Sequence, residues 1–300
     1  MAVVGLTQGW VAKRLPERPA RAHKGSFGRL LIVAGSLEYA GAALLTGLGA
    51  IRAGVGLACL ATPEAVGTRL MGLVPELTSM LLIEEAPGLT APAGWRQLAT
   101  EAAGYQAFVI GPGLGRQPAT LRRARNFIGG LRLPAVVDAD GLTALAEVQR
   151  WWQPLRAPLV LTPHAGEFAR LMRMAPGESL ADDDAQRAEA ARDAATSWGQ
   201  IVVLKGAHTV IASPTGDLLR SDIATPALAT AGSGDVLAGA IGAFLAAGMD
   251  PFEAAGCGVA VHGAAGLLAE DRIGQTGVVA RDIANLLPAA IQQLRGGRQG

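Results

Sequence analysis

Charged side chains are scarce in this 300-residue chain, at 17% against roughly a quarter in an average soluble domain. Bases and acids nearly cancel as well, 26 against 25. With no block of one sign, neither polybasic nucleic-acid binding nor a solvated, disordered chain fits. Aromatic residues are only 4%, so the core has to be built from Ala, Leu, Val and Gly, with its elements packed close together. Cysteine is nearly absent. Cys59 and Cys257 stand in apolar stretches without a CxxC spacing and read as buried free thiols, not as a disulfide or metal site. His23, His208 and His262 show no metal-ligand spacing with one another or with cysteine, so no zinc site and no metal-ligating side chains are expected. Long apolar runs are missing too: residues 236–249 are uncharged but number 14, short of the roughly 20 that span a bilayer. Arg52 interrupts the apolar stretch 41–63, and 30–34 is too short for the core of a signal peptide behind the basic N-terminus. No membrane span and a cytoplasmic location are the expectation.

What is abundant is small and apolar: half the residues are hydrophobic and 40 are glycine. A chain of this length can bury a large core in one α/β unit, and one domain over 1–300 is expected. Short apolar runs at 30–34, 57–61, 80–83, 107–110, 135–138, 159–162 and 201–204 read as strands covered on both faces. Ala-rich helical stretches near 40–53, 93–103, 117–130, 140–149 and 182–198 alternate with them, which calls for a largely parallel sheet with right-handed crossovers. Residues 208–212 and 218–221 flank Ser213-Pro214-Thr215-Gly216-Asp217 as a hairpin. The Ala/Gly-crowded helices near 235–247 and 252–270 are expected to bury against each other or the sheet. Trp151-Trp152 falls between a helix and a strand and is expected to form an exposed patch for subunit contact.

In open α/β sheets, ligands bind beyond the carboxyl ends of the strands. Those ends here are dense in glycine and polar groups: Gly35-Ser36, Gly111-Pro112-Gly113-Leu114-Gly115, Asp138-Ala139-Asp140, Thr162-Pro163-His164-Ala165-Gly166-Glu167 and Lys205-Gly206-Ala207-His208-Thr209. The richest segment is Thr230-Ala231-Gly232-Ser233-Gly234-Asp235, a glycine loop that runs straight into an apolar helix. Unscreened amides at the positive end of a helix dipole favour an anion such as phosphate. Asp235 beside them either takes a proton from an attacking hydroxyl or simply caps the helix. The segment is neither a dinucleotide fingerprint nor a P-loop, since it lacks both spacings. Lys205 pairs with nucleotide phosphate or is a solvated strand end. Gly113 belongs to a tight turn or to a place where a ligand nears the backbone, and a lone His164 is as compatible with structure as with chemistry.

Together with His23-Lys24-Gly25-Ser26-Phe27-Gly28 and Gly41-Ala42-Ala43, these segments resemble, in order and over about residues 20 to 270, the ADP/ATP-dependent NAD(P)H-hydrate dehydratases of the ribokinase-like fold. Ala231 and Ala165 depart from that pattern, standing where Gly and Pro are frequent. The resemblance implies a three-layer α/β sandwich, a mostly parallel central sheet with helices on both faces. It implies a repair reaction, in which the C6 hydroxyl of the S epimer of hydrated NADH or NADPH is phosphorylated by ADP, or by ATP, and phosphate is then eliminated. By the same resemblance Asp235 would be the base. The amides of Gly232, Ser233 and Gly234 would form the anion hole, and Lys205, Gly206, Ala207, His208, Thr209 and Gly234 would bind the AMP portion. Ala43, Gly113, His164 and Asp235 would contact the hydrated cofactor. Mg²⁺ would accompany the nucleotide. A homo-oligomer, often a tetramer, would be the assembled form, and no room precedes His23 for the epimerase domain some relatives carry, so a separately encoded epimerase is expected. Two rivals share the Gly-x-Gly-Asp segment: a small-molecule kinase of the same fold acting on a sugar, vitamin or thiazole alcohol, and a non-catalytic nucleotide-binding protein.

Overall fold

The apolar runs become the middle of a sheet in which neighbouring residues serve opposite cores. The computed structural model describes residues 3–175, 178, 180 and 183–296. Its strands are β1 (Val3–Gly5), β2 (Arg29–Val33), β3 (Leu57–Pro63), β4 (Thr78–Leu82), β5 (Glu84–Ala86), β6 (Leu89–Thr90), β7 (Ala107–Ile110), β8 (Ala135–Val137), β9 (Leu159–Leu161), β10 (Ile201–Leu204), β11 (Val210–Ala212) and β12 (Leu218–Arg220). The helices are α1 (Gln8–Ala12), α2 (Ala40–Ala53), α3 (Glu64–Leu70), α4 (Pro92–Glu101), α5 (Pro118–Gly130), α6 (Asp140–Ala146), α7 (Ala165–Met172), α8 (Asp184–Trp198), α9 (Ser233–Ala246), α10 (Pro251–Ile273) and α11 (Ala280–Leu294). One ten-stranded sheet has the order β1-β12-β11-β10-β9-β8-β7-β2-β3-β4, and β5 and β6 form a separate ribbon. From β10 to β4 every pairing is parallel; β11 and β12 add an antiparallel hairpin.

Alternation along β2 shows how the layers arise. Leu30 and Ile32 join a core with α2, α9, α10 and α11, whereas Leu31 and Val33 join one with α4, α5, α6, α7 and α8. The result is the expected three-layer α/β sandwich. On the first face the helices touch through backbone. A β-carbon on Gly239 of α9 would run into the Thr46 carbonyl of α2, one on Gly49 into the Val236 carbonyl, and one on Gly258 of α10 into the Ile241 side chain. The two Ala/Gly helices are thus buried against each other, but α2 is the partner that α9 meets backbone to backbone. Helix α10 is long and apolar enough to cross a membrane by length and composition, yet 78% of its most apolar window is buried, a core helix's position.

Several elements went unread in the sequence. Strands β1, β5 and β6 and helices α1 and α3 are too short to show a period, and Pro288 inside α11 reads as a break. The 182 end of one expected helix lies outside the described residues. The tryptophan pair is corrected outright. Trp151 is 2% exposed, and its ring lies 4.8 Å from Trp198 and 5.5 Å from Trp152, so the pair belongs to the second core and is no surface patch. Cys59 and Cys257 are free and buried, and burial pushes the Cys257 thiol up to about 12.

Gly239→Ala places a methyl group against backbone that cannot yield and should cost at least about 3 kcal/mol. Gly129→Ala in α5, where nothing lies within 4 Å, should be neutral or stabilise by up to about 1 kcal/mol. Urea midpoints of both variants check the contrast.

Candidate active site

Strands β8, β9 and β10 end side by side, and the residues that follow them meet. The Lys205 amide donates to the Pro163 carbonyl (2.8 Å), which sets Lys205 beside His164. The Lys205 Nζ lies 2.9 Å from Asp138 Oδ1 and 3.9 Å from Glu167 Oε2. Asp138 is 1% exposed, and that ammonium is its ion-pair partner. Burial alone works against a charged Lys205, but Asp138, Glu167 and Asp235 outweigh it and hold its pKa above the ordinary lysine value. The lysine therefore stays charged, while part of its charge is spent on Asp138. Arg187, buried on α8, donates to the Lys205 carbonyl (3.0 Å) and fixes the strand end from below.

Helix α9 points its N-terminus at this cluster. Gly232 is the N-cap, with φ +87° and no side-chain capping bond. A β-carbon on Gly234 would stand 3.4 Å from Lys205 Nζ and 3.9 Å from Asp138 Oδ2, so only a glycine leaves the space between lysine and helix open. The amides at this helix start differ in their partners. The Ser233 amide donates to the Thr230 carbonyl (3.2 Å), whereas among the described residues the amides of Gly232, Gly234 and Asp235 have no backbone acceptor outside the helix. The free donors at this helix start are therefore Gly232, Gly234 and Asp235. Asp235 does not cap the helix, and its half-buried carboxylate makes no hydrogen bond among the described residues. Burial, then the nearby Asp138, push its pKa up to about 7; Lys205 pulls it back, and Asp140 and Glu167 add to the rise.

Between β10 and α9 lies a cavity of about 640 Å³, lined by Lys205, Gly206, Ala207, Thr209, Ser233 and Gly234. Its far wall was not found from the sequence. Ile223, Pro226, Leu228 and Val259 make it apolar, with His262 at the back, and nothing in the irregular 221–230 segment is periodic enough to reveal it. Volume and lining suit a flat ring system attached to an anionic tail.

The remaining expected residues divide. His164 lines the cavity as the N-cap of α7, its Nδ1 accepting from the amides of Gly166 (3.0 Å) and Glu167 (3.3 Å). Ala165 is the first residue of that helix, the position at which proline is also favoured, so the departure leaves geometry intact. Ala231 likewise needs no positive φ. The His208 side chain turns to Asp184 of α8 (2.7 Å) and does not line the cavity. Gly113 has φ +62°, and a β-carbon there would lie 2.6 Å from the Tyr39 carbonyl. Ala43 is fully buried, packed behind Gly35, and presents no surface to a ligand. Asp140 ties the turn at Gly115 (3.0 Å) to α6, and Ala139 between the two aspartates is held at φ +50°, a strained conformation of the kind that clusters at functional sites. The His23–Gly28 segment sits at the opposite end of the sheet, where a β-carbon on Gly28 would strike the Ala246 carbonyl at the end of α9. Its part is to seat that helix.

Comparison with known proteins places the chain in a family. A family model for NAD(P)H-hydrate dehydratase matches residues 30–289. The bifunctional NAD(P)H-hydrate repair enzyme of Moorella thermoacetica is 40% identical over 289 residues, 96% of this chain and 54% of that protein; the chain spans about half the length of the bifunctional relatives it matches. The ADP-dependent (S)-NAD(P)H-hydrate dehydratase of Bacillus subtilis is 34% identical, over 94% of this chain and 95% of its own. The crystal structure of the Bacillus subtilis enzyme, co-crystallised with ATP and Mg²⁺, superposes with a TM-score of 0.82 over 98% of this chain and 99% of that one. A ribokinase-like superfamily protein from Enterococcus faecalis, 22% identical with a TM-score of 0.77 over 97% of this chain and 96% of its own, shares the fold. On the family match, and on the identity to relatives that it spans almost end to end, the chain belongs to the NAD(P)H-hydrate dehydratase family.

Proposed function

We propose that the chain, as one domain over 1–300, dehydrates the S epimer of hydrated NADH and NADPH with ADP as phosphoryl donor, or ATP in its place, a cofactor-repair reaction. The observation that carries the proposal is Asp235: an uncapped, half-buried carboxylate, lifted to about 7, in the first turn of a helix with free amides and within the field of Lys205. The substrate's C6 hydroxyl oxygen attacks the terminal phosphorus of ADP, AMP leaves, and Asp235 takes the hydroxyl proton. Loss of phosphate from C6 with a proton from C5 then restores the ring double bond. Phosphate is a far better leaving group than hydroxide, so the first step makes the second accessible.

The amides of Gly232 and Gly234, with that of Asp235, would hold the transferring phosphoryl group. Lys205 would neutralise charge developing between the two phosphates, and Gly206, Ala207 and Thr209 would line the AMP portion, with His208 supporting that turn through Asp184 rather than touching nucleotide. Gly113 and His164 would face the hydrated ring, and Ala43 would shape the floor beneath it. Mg²⁺ fits as the nucleotide's counterion: the carboxylate oxygens here are hard donors, but among the described residues no three or more His, Cys, Asp or Glu side chains are arranged to hold a metal. It would be held by phosphate oxygens and water, supplying charge neutralisation. A homo-oligomer, a functional link to an NAD(P)H-hydrate epimerase and a cytoplasmic location complete the proposal.

Hydrated NADH with ADP or ATP and Mg²⁺ should regain reduced-nicotinamide absorbance. A stable phosphoester instead would assign the chain to the small-molecule kinases, and nucleotide binding without turnover to the non-catalytic binders. Asp235→Asn should keep nucleotide affinity and lose about 10²–10⁴-fold in turnover. In the wild type kcat/KM should climb as pH rises through about 7, because only the ionised Asp235 accepts a proton, and that rise should vanish in the variant. Lys205→Ala should weaken ADP binding by at least about tenfold, read by calorimetry; unchanged affinity would leave Lys205 a strand-end residue.

A further inference from the structure

His262 is the polar exception in the middle of α10. Its neighbours from Ala254 to Gly266 are Ala, Gly, Val and Cys, and all are buried. The residue is 7% exposed, yet it lines the cavity just described. Its Nε2 is 3.0 Å from the Ser233 carbonyl oxygen and 3.1 Å from Ser233 Oγ. A carbonyl oxygen has no proton to give, so Nε2 must carry one and donate it. The same N–H then reaches Ser233 Oγ as a second acceptor, which leaves the serine's own O–H unspent. Burial pushes the imidazole pKa down to about 4, the Ser233 carbonyl raises it and Lys205 lowers it, so the ring is neutral at physiological pH and adds no charge behind the helix start.

We infer that His262 is a positioning residue: it fixes Ser233 at the start of α9 so that the serine hydroxyl presents its proton to the phosphoryl group held there. The inference rests on the proposed phosphoryl transfer and adds a side-chain donor to the main-chain ones. It explains a histidine in a helix whose other inward positions are chosen for smallness. It also gives Ser233 a role that its amide, already donated to Thr230, does not have.

The test uses His262→Asn, whose amide stops short of Ser233, His262→Gln, whose amide reaches about as far as Nε2, and Ser233→Ala, each checked for folding by thermal melting. His262→Asn should lower kcat at least about tenfold with KM for ADP changed less than about threefold, and His262→Gln should recover most of the loss. Ser233→Ala should lower kcat by a similar factor, and the Ser233→Ala/His262→Asn double variant should be no worse than either single one. Equal turnover of the Asn and Gln variants, multiplying losses in the double variant, or failure of both His262 variants to fold would overturn the inference. If the wild type shows no turnover, the functional proposal is what fails. Inorganic phosphate binding in the presence of AMP, measured by calorimetry, then decides: binding weakened at least about tenfold by His262→Asn and restored by His262→Gln supports the positioning role, and equal binding by all three proteins overturns it.

Discussion

Helix α9 can reach the ends of β8, β9 and β10 only because nothing but backbone separates it from α2. At Gly239 and Gly49 each helix lies against a carbonyl of the other, and Gly242 lets α9 settle on the sheet, where a β-carbon would lie 2.5 Å from Val109 Cγ2. A helix held on three sides has no freedom to slide. Its N-terminus is therefore fixed relative to Lys205 and Asp138, which belong to the sheet and not to the helix. Composition and site are linked here: the poverty in aromatics and excess of glycine are what a close-packed, sheet-anchored helix start requires.

The electrostatics depend on that same fixed distance. One half-buried lysine faces three acids, Asp138, Glu167 and Asp235, and their effects on one another are opposite. Asp138 and its fellow acids keep Lys205 charged, and burial first, then the acids that Lys205 leaves uncompensated, raises Asp235 to about 7. As the proposed base, a carboxylate of that strength would be suited to neutral pH, whereas a solvated aspartate at its ordinary value would be too weak an acceptor for a hydroxyl proton. Were α9 displaced outward, desolvation would relax and Asp235 would fall back toward the ordinary range, so the packing of the helix sets the strength of this carboxylate.

Much of this was legible in the chain, for identifiable reasons. The buried strands announce themselves as unbroken apolar runs, and the residues just past them have to lie at one edge whatever the details of topology. Lys205 could thus be singled out from its place past a strand, and Asp235 from the glycine loop that runs into an apolar helix, each with a purely structural reading beside it. His208 could not be separated from its neighbours, because only the structure shows that Asp184, arriving on another helix, draws its ring away. The wall at 221–230 is irregular and leaves no period to read. His262 was visible only as a histidine without metal spacing; its partner Ser233 is 29 residues away, joined by the antiparallel return of α10 against α9. Trp151-Trp152 failed for the opposite reason, since a loop position suggests exposure, and the deciding fact was Trp198 on a helix half a hundred residues later in the chain.

The glycine loop and its aspartate suit phosphoryl transfer to any alcohol, so what would make the reaction a dehydration has to come after the transfer. In the proposed substrate the ring nitrogen is bonded to the carbon that bears the new phosphate. Its lone pair can expel that phosphate as the C–O bond breaks, and loss of the C5 proton completes the double bond. Most of the driving force for elimination is thus intrinsic to the substrate, and the protein need only stabilise the departing anion. The free amides at the start of α9 and Lys205, which would first receive the phosphoryl group, are already in place to receive the free phosphate. On this view a kinase and a dehydratase need not differ in the anion site at all. They differ in the alcohol that the acceptor side admits, and the residues to examine for that choice are those around Gly113 and His164, not those that contact the nucleotide.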